Sequence, residues 1–158
     1  MAVKKYILDV TFDEEEALLF AIHSSLENYR MAYFLNKNLP LLLKRQEEFY
    51  TIKQAEYESE YMLYRYKDEA NQDVFYFINN AAEIQTSAVG EIFQGATPGK
   101  TYLAPEIKKA DYLLKICTED TYFYRNNFLP VIQSIPGVIT AYEVEYDSLK
   151  SKIKLQFE

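Results

Sequence analysis

The segment FQGATPGKT, residues 93–101, is the stretch whose residue types and spacing most suggest chemistry, because it ends in Gly-Lys-Thr as a phosphate-binding loop does. Such a loop requires a glycine five positions before the glycine of that triplet. Counting back from Gly99, this position is Gln94, and Gly95 comes one residue late. Pro98 has no N–H to offer a phosphate oxygen, and the following TYLAP is extended rather than helical. The sequence therefore predicts that the chain binds no nucleotide.

His23 is the only histidine and Cys117 the only cysteine, so multi-histidine metal sites and internal disulfides are excluded. The two side chains could act as base and nucleophile only if the fold brought them together. An enzyme of unassigned reaction that uses His23 or Cys117 with Glu106 or Asp111 is therefore one functional hypothesis. A structural histidine and a buried, inert cysteine are the other interpretation. No catalytic residue, metal site or cofactor is predicted.

Glu143 and Glu145 share one face of a predicted strand and could act as a pair or bind a cation. Lys152 and Lys154, in the last predicted strand, would neutralise them across the sheet. The aromatic strands could stack bases, but they lack the basic, glycine-containing strand that RNA-recognition sheets use. The aromatic side chains are therefore expected to pack in the core or in a dimer interface.

The composition suggests a single domain, residues 1–158, with 49% hydrophobic residues and a net charge of −7. An acidic chain repels phosphate backbones and anionic membrane surfaces. Neither a nucleic acid nor a membrane is therefore an expected partner. The first residues, Met1 to Tyr6, precede no long apolar segment, and no run approaches 18 apolar residues. These features predict a cytoplasmic protein.

Strands and helices must position the candidate side chains. The first part of the chain predicts two strands followed by a helix. Residues 5–12, KYILDVTF, alternate in polarity as a half-buried strand does, and an acidic run follows. Residues 17–38 allow either one long helix or a buried strand, ALLFAIH, followed by a helix that opens at Ser24. The capping box Ser24-Ser25-Leu26-Glu27 favours the second interpretation, and Asn38 can end that helix.

After this helix, PLLLKR (40–45) predicts a return strand, and the polar residues 46–58 predict a connection between strands. Residues 60–67 and 73–79 predict the two strands of a hairpin, with the polar residues 68–72 as the connector. Residues 80–100 predict an irregular loop with a short helix around 81–86.

The last part of the chain predicts a second strand–helix–strand unit. Residues 101–116 predict a strand, a turn at Pro105 and another strand, and residues 118–135 predict a helix capped by Thr118. Pro130 would kink or split this helix. Residues 138–146 and 152–158 alternate in polarity and predict two final strands.

Two βαβ units therefore bracket the chain, and each has a hydroxyl residue where its strand meets its helix. Two such units with antiparallel strands between them predict an α+β fold with an antiparallel or mixed sheet, ferredoxin-like or an elaboration of it. His23 and Cys117 would then occupy corresponding strand ends.

The segment APEIKKADY, residues 104–112, resembles the motif that names the IPExxxVDY family of small uncharacterised bacterial proteins. Pro105, Glu106, Asp111 and Tyr112 match this motif, and alanines replace its isoleucine and valine. The segments 21–39 and 134–144 also resemble blocks of this family. The resemblance implies no activity, since the family carries no assigned one, and it therefore transfers no functional residues.

The physical interpretation of this motif is mainly structural. Pro105 fixes a turn, Glu106 can accept backbone N–H groups, Asp111 begins a strand and Tyr112 packs with its hydroxyl near the surface. Arg30, in the first helix, is the expected partner of Glu106 or Asp111. The alternative interpretation of the motif is a binding site of Arg30, Glu106, Asp111 and Tyr112. For the whole chain, the leading functional hypothesis is a non-catalytic domain that binds a protein partner or a small ligand, and the enzyme is its rival.

The strands of the predicted hairpin are aromatic on both faces, and this predicts self-association. Met62, Tyr64 and Tyr66 share one face, and Tyr61 and Leu63 share the other. An open sheet face of this composition exceeds the apolar area that monomers usually expose. A second copy is its simplest cover, so the sequence predicts a homodimer that buries the tyrosine-rich hairpin.

Overall fold

The computed structural model describes residues 16–85 and 99–157, which form an α+β architecture. The predicted strand 5–12, most of the acidic run and residues 93–98 of the phosphate-loop-like segment lie outside the described residues. The described strands are β1 (Ala17–Ser24), β2 (Lys44–Arg45), β3 (Tyr50–Lys53), β4 (Glu58–Tyr61), β5 (Leu63–Asp68), β6 (Asp73–Asn79), β7 (Ala81–Glu83), β8 (Lys100–Tyr102), β9 (Tyr112–Cys117) and β10 (Val138–Val144).

Six of these strands form the main sheet, in the order β10-β1-β9-β6-β5-β2. Every neighbouring pair in this sheet is antiparallel. The strands β3 and β4 form one small antiparallel sheet, and β7 and β8 form another. The predicted hairpin is confirmed in β5 and β6, which pair from Leu63 with Ile78 to Asp68 with Asp73.

The helices are α1 (Asn28–Asn38), α2 (Thr121–Asn127) and α3 (Leu129–Gln133). The interpretation of residues 17–38 as strand then helix is confirmed, but α1 begins at Asn28 rather than at Ser24. Ser24 is instead the buried last residue of β1, and its hydroxyl donates to the Gly137 carbonyl and accepts from the Leu26 amide. Because this hydroxyl serves the strand end, it caps no helix.

Pro130 splits the predicted helix 118–135 into α2 and α3. It lies in the first turn of α3, where its missing N–H costs no helical hydrogen bond. The cap of α2 is Asp120, whose carboxylate accepts the Phe123 amide, rather than Thr118. The hydroxyl of Thr118 accepts the Asp120 amide one step earlier.

The first predicted βαβ unit differs from expectation, because its return strand is only Lys44–Arg45 and lies at the far sheet edge beside β5. Leu41 and Leu43 are buried in irregular backbone. The side chain of Asn36 accepts the Leu43 amide and donates to the Leu43 carbonyl. This side chain therefore supplies hydrogen bonds that a strand would otherwise make.

The second unit runs from β9 through α2 and α3 to β10. Both strands pair antiparallel with β1, which lies between them, so they run in the same direction. The segment 46–58, predicted to be a connection, contains β3 and the first residue of β4. These strands are short, and β3 alternates between half-buried and exposed residues, so polarity alone did not reveal them.

The segment 152–158 is not a strand, because its described part continues a 3-10 helix, Lys150–Leu155. A second 3-10 helix, Tyr146–Ser148, precedes it, and residues 145–157 together are called the strap below. The amides of Lys150 and Ser151 donate to the Glu106 carboxylate instead of to a neighbouring strand. A carboxylate therefore accepts the backbone N–H groups of this segment, whereas the alternating pattern predicted hydrogen bonds to a neighbouring strand.

Both faces of the middle strands of the main sheet are covered by the chain itself. On one face Leu18, Phe20 and Ile22 pack under the helices, and on the other Leu19 and Ala21 pack under the strap and neighbouring loops. Being buried on both faces explains why ALLFAI is a continuous apolar run.

The open tyrosine-rich face on which the homodimer prediction depended is therefore not found. Tyr61 is 1% exposed, Tyr64 7% and Tyr76 4%. The homodimer thus loses the premise from which it was inferred, and it stays a prediction. None of the described helices is long and apolar enough to cross a membrane.

Gly137 is required where α3 turns into β10. Its φ is +101°, and an added Cβ would lie 2.8 Å from two side-chain carbons of Leu26. We expect Gly137→Ala to lower the free energy of unfolding by about 1–3 kcal/mol, because it adds backbone strain and a clash.

Urea denaturation measures this change, and Gly99→Ala is the matched control. A Cβ at Gly99 would make only an ordinary contact, 3.5 Å from Ile84 Cδ1. Equal effects of the two substitutions would show that neither the positive φ nor the contact with Leu26 requires glycine at position 137.

Candidate functional site

The motif segment, residues 104–112, connects β8 to β9 and packs against the end of β1. Pro105 opens a short 3-10 helix, Pro105–Ile107, so the predicted turn is confirmed. Ala104 is fully buried and Ala110 is 2% exposed. A larger side chain would have to displace its neighbours at either position, which explains why alanine fits here.

Asn80 organises this segment from the end of β6. Its side chain is fully buried and accepts the Ala104 amide at 2.9 Å. Its amide group donates to the carbonyls of Ile107 and Ala110 at 3.1 and 3.2 Å. Its own backbone N–H donates to the Asp111 carbonyl, and its carbonyl accepts the Leu103 amide. One residue therefore fastens both ends of the motif segment.

Asp111 and Tyr112 fasten the same segment to the end of β1. The carboxylate of Asp111 accepts the Ser24 amide at 2.8 Å, and the Asp111 amide donates to the Ile22 carbonyl. The Tyr112 hydroxyl donates to the Leu26 carbonyl at 2.5 Å. Burial and the neighbouring carboxylates of Asp111 and Glu27 raise the pKa of Tyr112 to about 12. This hydroxyl is therefore a protonated donor at neutral pH.

Glu106 fastens the motif segment to the strap. Its carboxylate accepts the amides of Lys150 and Ser151 at 2.7 and 3.1 Å, and the Ser151 hydroxyl at 2.8 Å. Burial alone would raise the pKa of Glu106, but hydrogen bonds from its own backbone, Ser151 and Lys150 outweigh this, so the pKa lies below its ordinary value. The prediction that Glu106 accepts backbone N–H groups is confirmed.

Arg30 is not the partner of these carboxylates, contrary to expectation. It lies exposed on α1, and its guanidinium carbon is 6.0 Å from the centroid of the Phe34 ring. Because Glu106 and Asp111 are exposed and already accept backbone amides, neither carboxylate needs a cation as its partner. The structure thus places Glu106, Asp111 and Tyr112 in one segment and leaves Arg30 apart.

His23 and Cys117 do not meet. The strands β1 and β9 are antiparallel, and Cys117 lies opposite Ala17, six residues from His23 and thus about 20 Å away along the strand. Both residues do lie at the carboxyl ends of their strands, as predicted. Because the two strands are antiparallel, these ends point to opposite edges of the sheet. The Nε2 atom of His23 is 2.9 Å from the Tyr142 hydroxyl.

The remaining sequence candidates are occupied elsewhere or not assembled. Glu143 forms a bidentate pair with Arg125, with Nε to Oε1 at 2.6 Å, and not with the strap lysines. Lys152 pairs with Asp147 at 3.2 Å. Lys100 and Thr101, of the phosphate-loop-like segment, lie in β8, whereas a phosphate-binding loop would have a helix there.

An open cleft at the Cys117 end of the sheet is lined by four carboxylates, Glu16, Asp73, Glu119 and Asp120, beside Phe123 and Tyr124. The Tyr124 hydroxyl donates to Asp73, and burial together with this hydrogen bond raises the pKa of Tyr124. Across residues 16–85 and 99–157, no three metal-ligating side chains are grouped to hold a metal ion.

Sequence reasoning missed Asn80 and Lys115. Lys115 is 2% exposed, and its ammonium donates to the Leu155 carbonyl at 2.9 Å and lies 4.8 Å from the Tyr146 ring centroid. Its signal was a single lysine within the apolar run YLLKIC. The signal for Asn80 was a pair of asparagines at a strand end, where turns usually need them.

No family model matches the chain, and neither a curated protein nor a solved structure gives a significant match. The resemblance to the IPExxxVDY family is therefore untested and stays a prediction.

Asn80→Ala should lower the free energy of unfolding by about 2–4 kcal/mol, because it leaves the buried Ala104 amide and two carbonyls without their partner. Chemical denaturation measures the change. Asn71→Ala is the control, because Asn71 is exposed and its side chain donates to the Asp68 carboxylate at the surface. A loss for Asn80→Ala no larger than for this control would contradict the organising role of Asn80.

Glu106→Gln should destabilise the protein by about 1–2 kcal/mol near neutral pH, a value reduced for solvent exposure. Since the folded pKa is lowered, the contribution is complete above about pH 4.5, the ordinary pKa, and is lost as the pH falls through the folded value.

Urea denaturation of both proteins between pH 3 and pH 7 tests this dependence. We expect the difference in stability between wild type and Glu106→Gln to shrink as the pH falls below about 4.5. A difference that stays constant or grows on acidification would show that the Glu106 charge plays no part.

Proposed function

We propose that the chain is a non-catalytic domain that binds a protein partner on the outer face of α1. One observation carries the proposal: the candidate residues divide into two groups. Glu106, Asp111 and Tyr112 are engaged in hydrogen bonds within the chain. Arg30 instead lies at the surface among exposed aromatic side chains.

The α1 face consists of Tyr29, Arg30, Tyr33 and Lys37. The two tyrosines are 59% and 58% exposed and lie one helical turn apart. Arg30 lies over Phe34, and the Tyr33 and Phe34 rings make an edge contact at 5.2 Å between centroids. Tyrosine and arginine are enriched among residues that dominate binding energy.

The charge of the α1 face indicates the chemistry of the partner. The face carries two cations and no carboxylate, on a chain whose net charge is −7. An acidic segment of another protein would meet Arg30 and Lys37 and be repelled by most of the remaining surface. We therefore assign the face to an acidic protein segment that also carries apolar side chains for the two tyrosines.

The alternative of an enzyme has weaker support. His23 and Cys117 lie at opposite ends of antiparallel strands, and Glu106 and Asp111 serve as acceptors for backbone amides. A small ligand also has weaker support, because the clefts are open and mostly polar.

We also propose that the fold is a ferredoxin-like core with an insertion. Its support is the order β10-β1-β9-β6, in which α1 follows β1 and α2 with α3 follow β9. The strands β2 to β5 would then be the insertion between α1 and β6. Membership of the IPExxxVDY family remains a further proposal, and its support is the sequence match of the motif at Pro105, Glu106, Asp111 and Tyr112.

Photo-crosslinking in the source cell tests the partner surface. A benzophenone amino acid replaces Tyr33, and in a matched variant it replaces Tyr122, which is 73% exposed on α2. We expect a discrete protein adduct from position 33 only, with an acidic crosslinked peptide. Adding Arg30→Glu should lower the adduct yield by at least about fivefold, since it reverses the attraction.

Lys108→Glu, which changes an exposed lysine outside the α1 face, is the control for this charge reversal. It should leave the adduct unchanged. Equal adducts at positions 33 and 122, or a yield that Arg30→Glu does not alter, would refute the α1 face. A basic or neutral crosslinked peptide would refute the acidic partner.

A further inference from the structure

The strap covers one sheet face without belonging to a sheet. Its internal backbone hydrogen bonds are short-range, such as Leu149 N to Tyr146 O at 3.2 Å and Lys152 N to Leu149 O at 3.4 Å. Among the described residues, none of the sheets includes a strap strand. Bonds of this 3-10 type have poor geometry, so they resist opening less than a β-ladder does.

The strap is fastened to the rest of the chain at a few polar points. The most concentrated is Glu106, whose exposed carboxylate accepts three hydrogen bonds from Lys150 and Ser151. The Tyr50 hydroxyl donates to the Lys154 carbonyl at 2.7 Å, and the Lys154 ammonium reaches the Tyr102 carbonyl at 3.3 Å. A single solvent-accessible side chain therefore holds the middle of the strap.

The surface beneath the strap combines apolar side chains with a charge. Tyr146, Leu149, Leu155 and Phe157 are buried there, against a cluster that includes Leu19, Ala21, Tyr76, Ile78 and Leu113. Lys115 lies under the strap with its ammonium bonded to the Leu155 carbonyl. Opening would return this ammonium to water, which offsets part of the cost of exposing the apolar side chains.

The closed strap also contains an unsatisfied polar atom. The Tyr146 hydroxyl is buried and has no hydrogen-bond partner among the described residues. Such atoms are rare in folded proteins, because burial removes their hydrogen bonds to water. Closure of the strap therefore carries a penalty that opening removes.

From these observations we infer that the strap, residues 145–157, unfolds locally and leaves the sheet, and that the hydrogen bonds of Glu106 hold it closed. It opens as a unit around Glu145, while the six-stranded sheet and the helices stay folded. Opening uncovers the sheet face around Lys115 and Tyr76, including part of the surface that the sequence pattern assigned to a second copy. The opening of the strap does not depend on the proposed partner surface on α1.

Hydrogen exchange measured by mass spectrometry at neutral pH tests the strap. In the wild-type protein, strap amides should exchange at least about tenfold faster, relative to their intrinsic rates, than amides of β1 and β9. Glu106→Gln replaces one acceptor oxygen with an amide group, and it should speed strap exchange by about tenfold more. The exchange of β1 should change by less than about twofold.

A second variant should slow strap exchange, an effect that misfolding cannot produce. Tyr146→Phe keeps the ring over Lys115 and removes the unsatisfied hydroxyl, so strap exchange should slow by about threefold or more. Glu119→Gln changes a carboxylate that does not contact the strap, and it should change neither the strap exchange rate nor the β1 exchange rate. Strap amides that exchange as slowly as β1, a uniform acceleration in Glu106→Gln, or faster strap exchange in Tyr146→Phe would each overturn the inference.

Discussion

The central constraint on this molecule is that its middle strands are apolar on both faces. In β1, Leu18, Phe20 and Ile22 require one cover, and Leu19 and Ala21 require another. The three α-helices cover the first face, and none of the described α-helices covers the second. The second face is instead covered by the strap, the motif segment and the small sheets. Almost every unusual feature of the structure follows from covering this second face with irregular backbone.

Irregular backbone over an apolar face needs hydrogen-bond partners that a helix or a strand would supply internally. Side chains supply them here. Asn80 serves the motif segment, Asn36 serves the turn after α1, and Glu106 serves the strap. These residues are structural because each replaces part of a missing ladder. Losing one would leave buried peptide groups without partners, which costs more than the net value of the hydrogen bond itself.

The parts of the fold that the sequence predicted are those governed by local patterns. The apolar runs of β1 and β6, the turn at Pro105 and the end of α1 at Asn38 depend on neighbouring residues, and all are found. The failures depend on distant partners. The strap alternates like a strand, but Glu106 and Lys115 bind its backbone, and no local pattern contains that information. The expected Arg30 pair failed for a related reason, since an amide can satisfy a carboxylate as well as a cation can.

The same hydrogen bonds decide how the candidate site is interpreted. A general base needs a free lone pair and a pKa near the working pH. Glu106 has three donors on its carboxylate and a lowered pKa, and Tyr112 is held as a donor by a pKa raised to about 12. The motif that most resembles a site is therefore occupied with maintaining the fold. What remains available to other molecules is surface, and on the described surface the α1 face combines exposed aromatic rings with positive charge. Function in this protein is thus expected where the structure does not need the side chains.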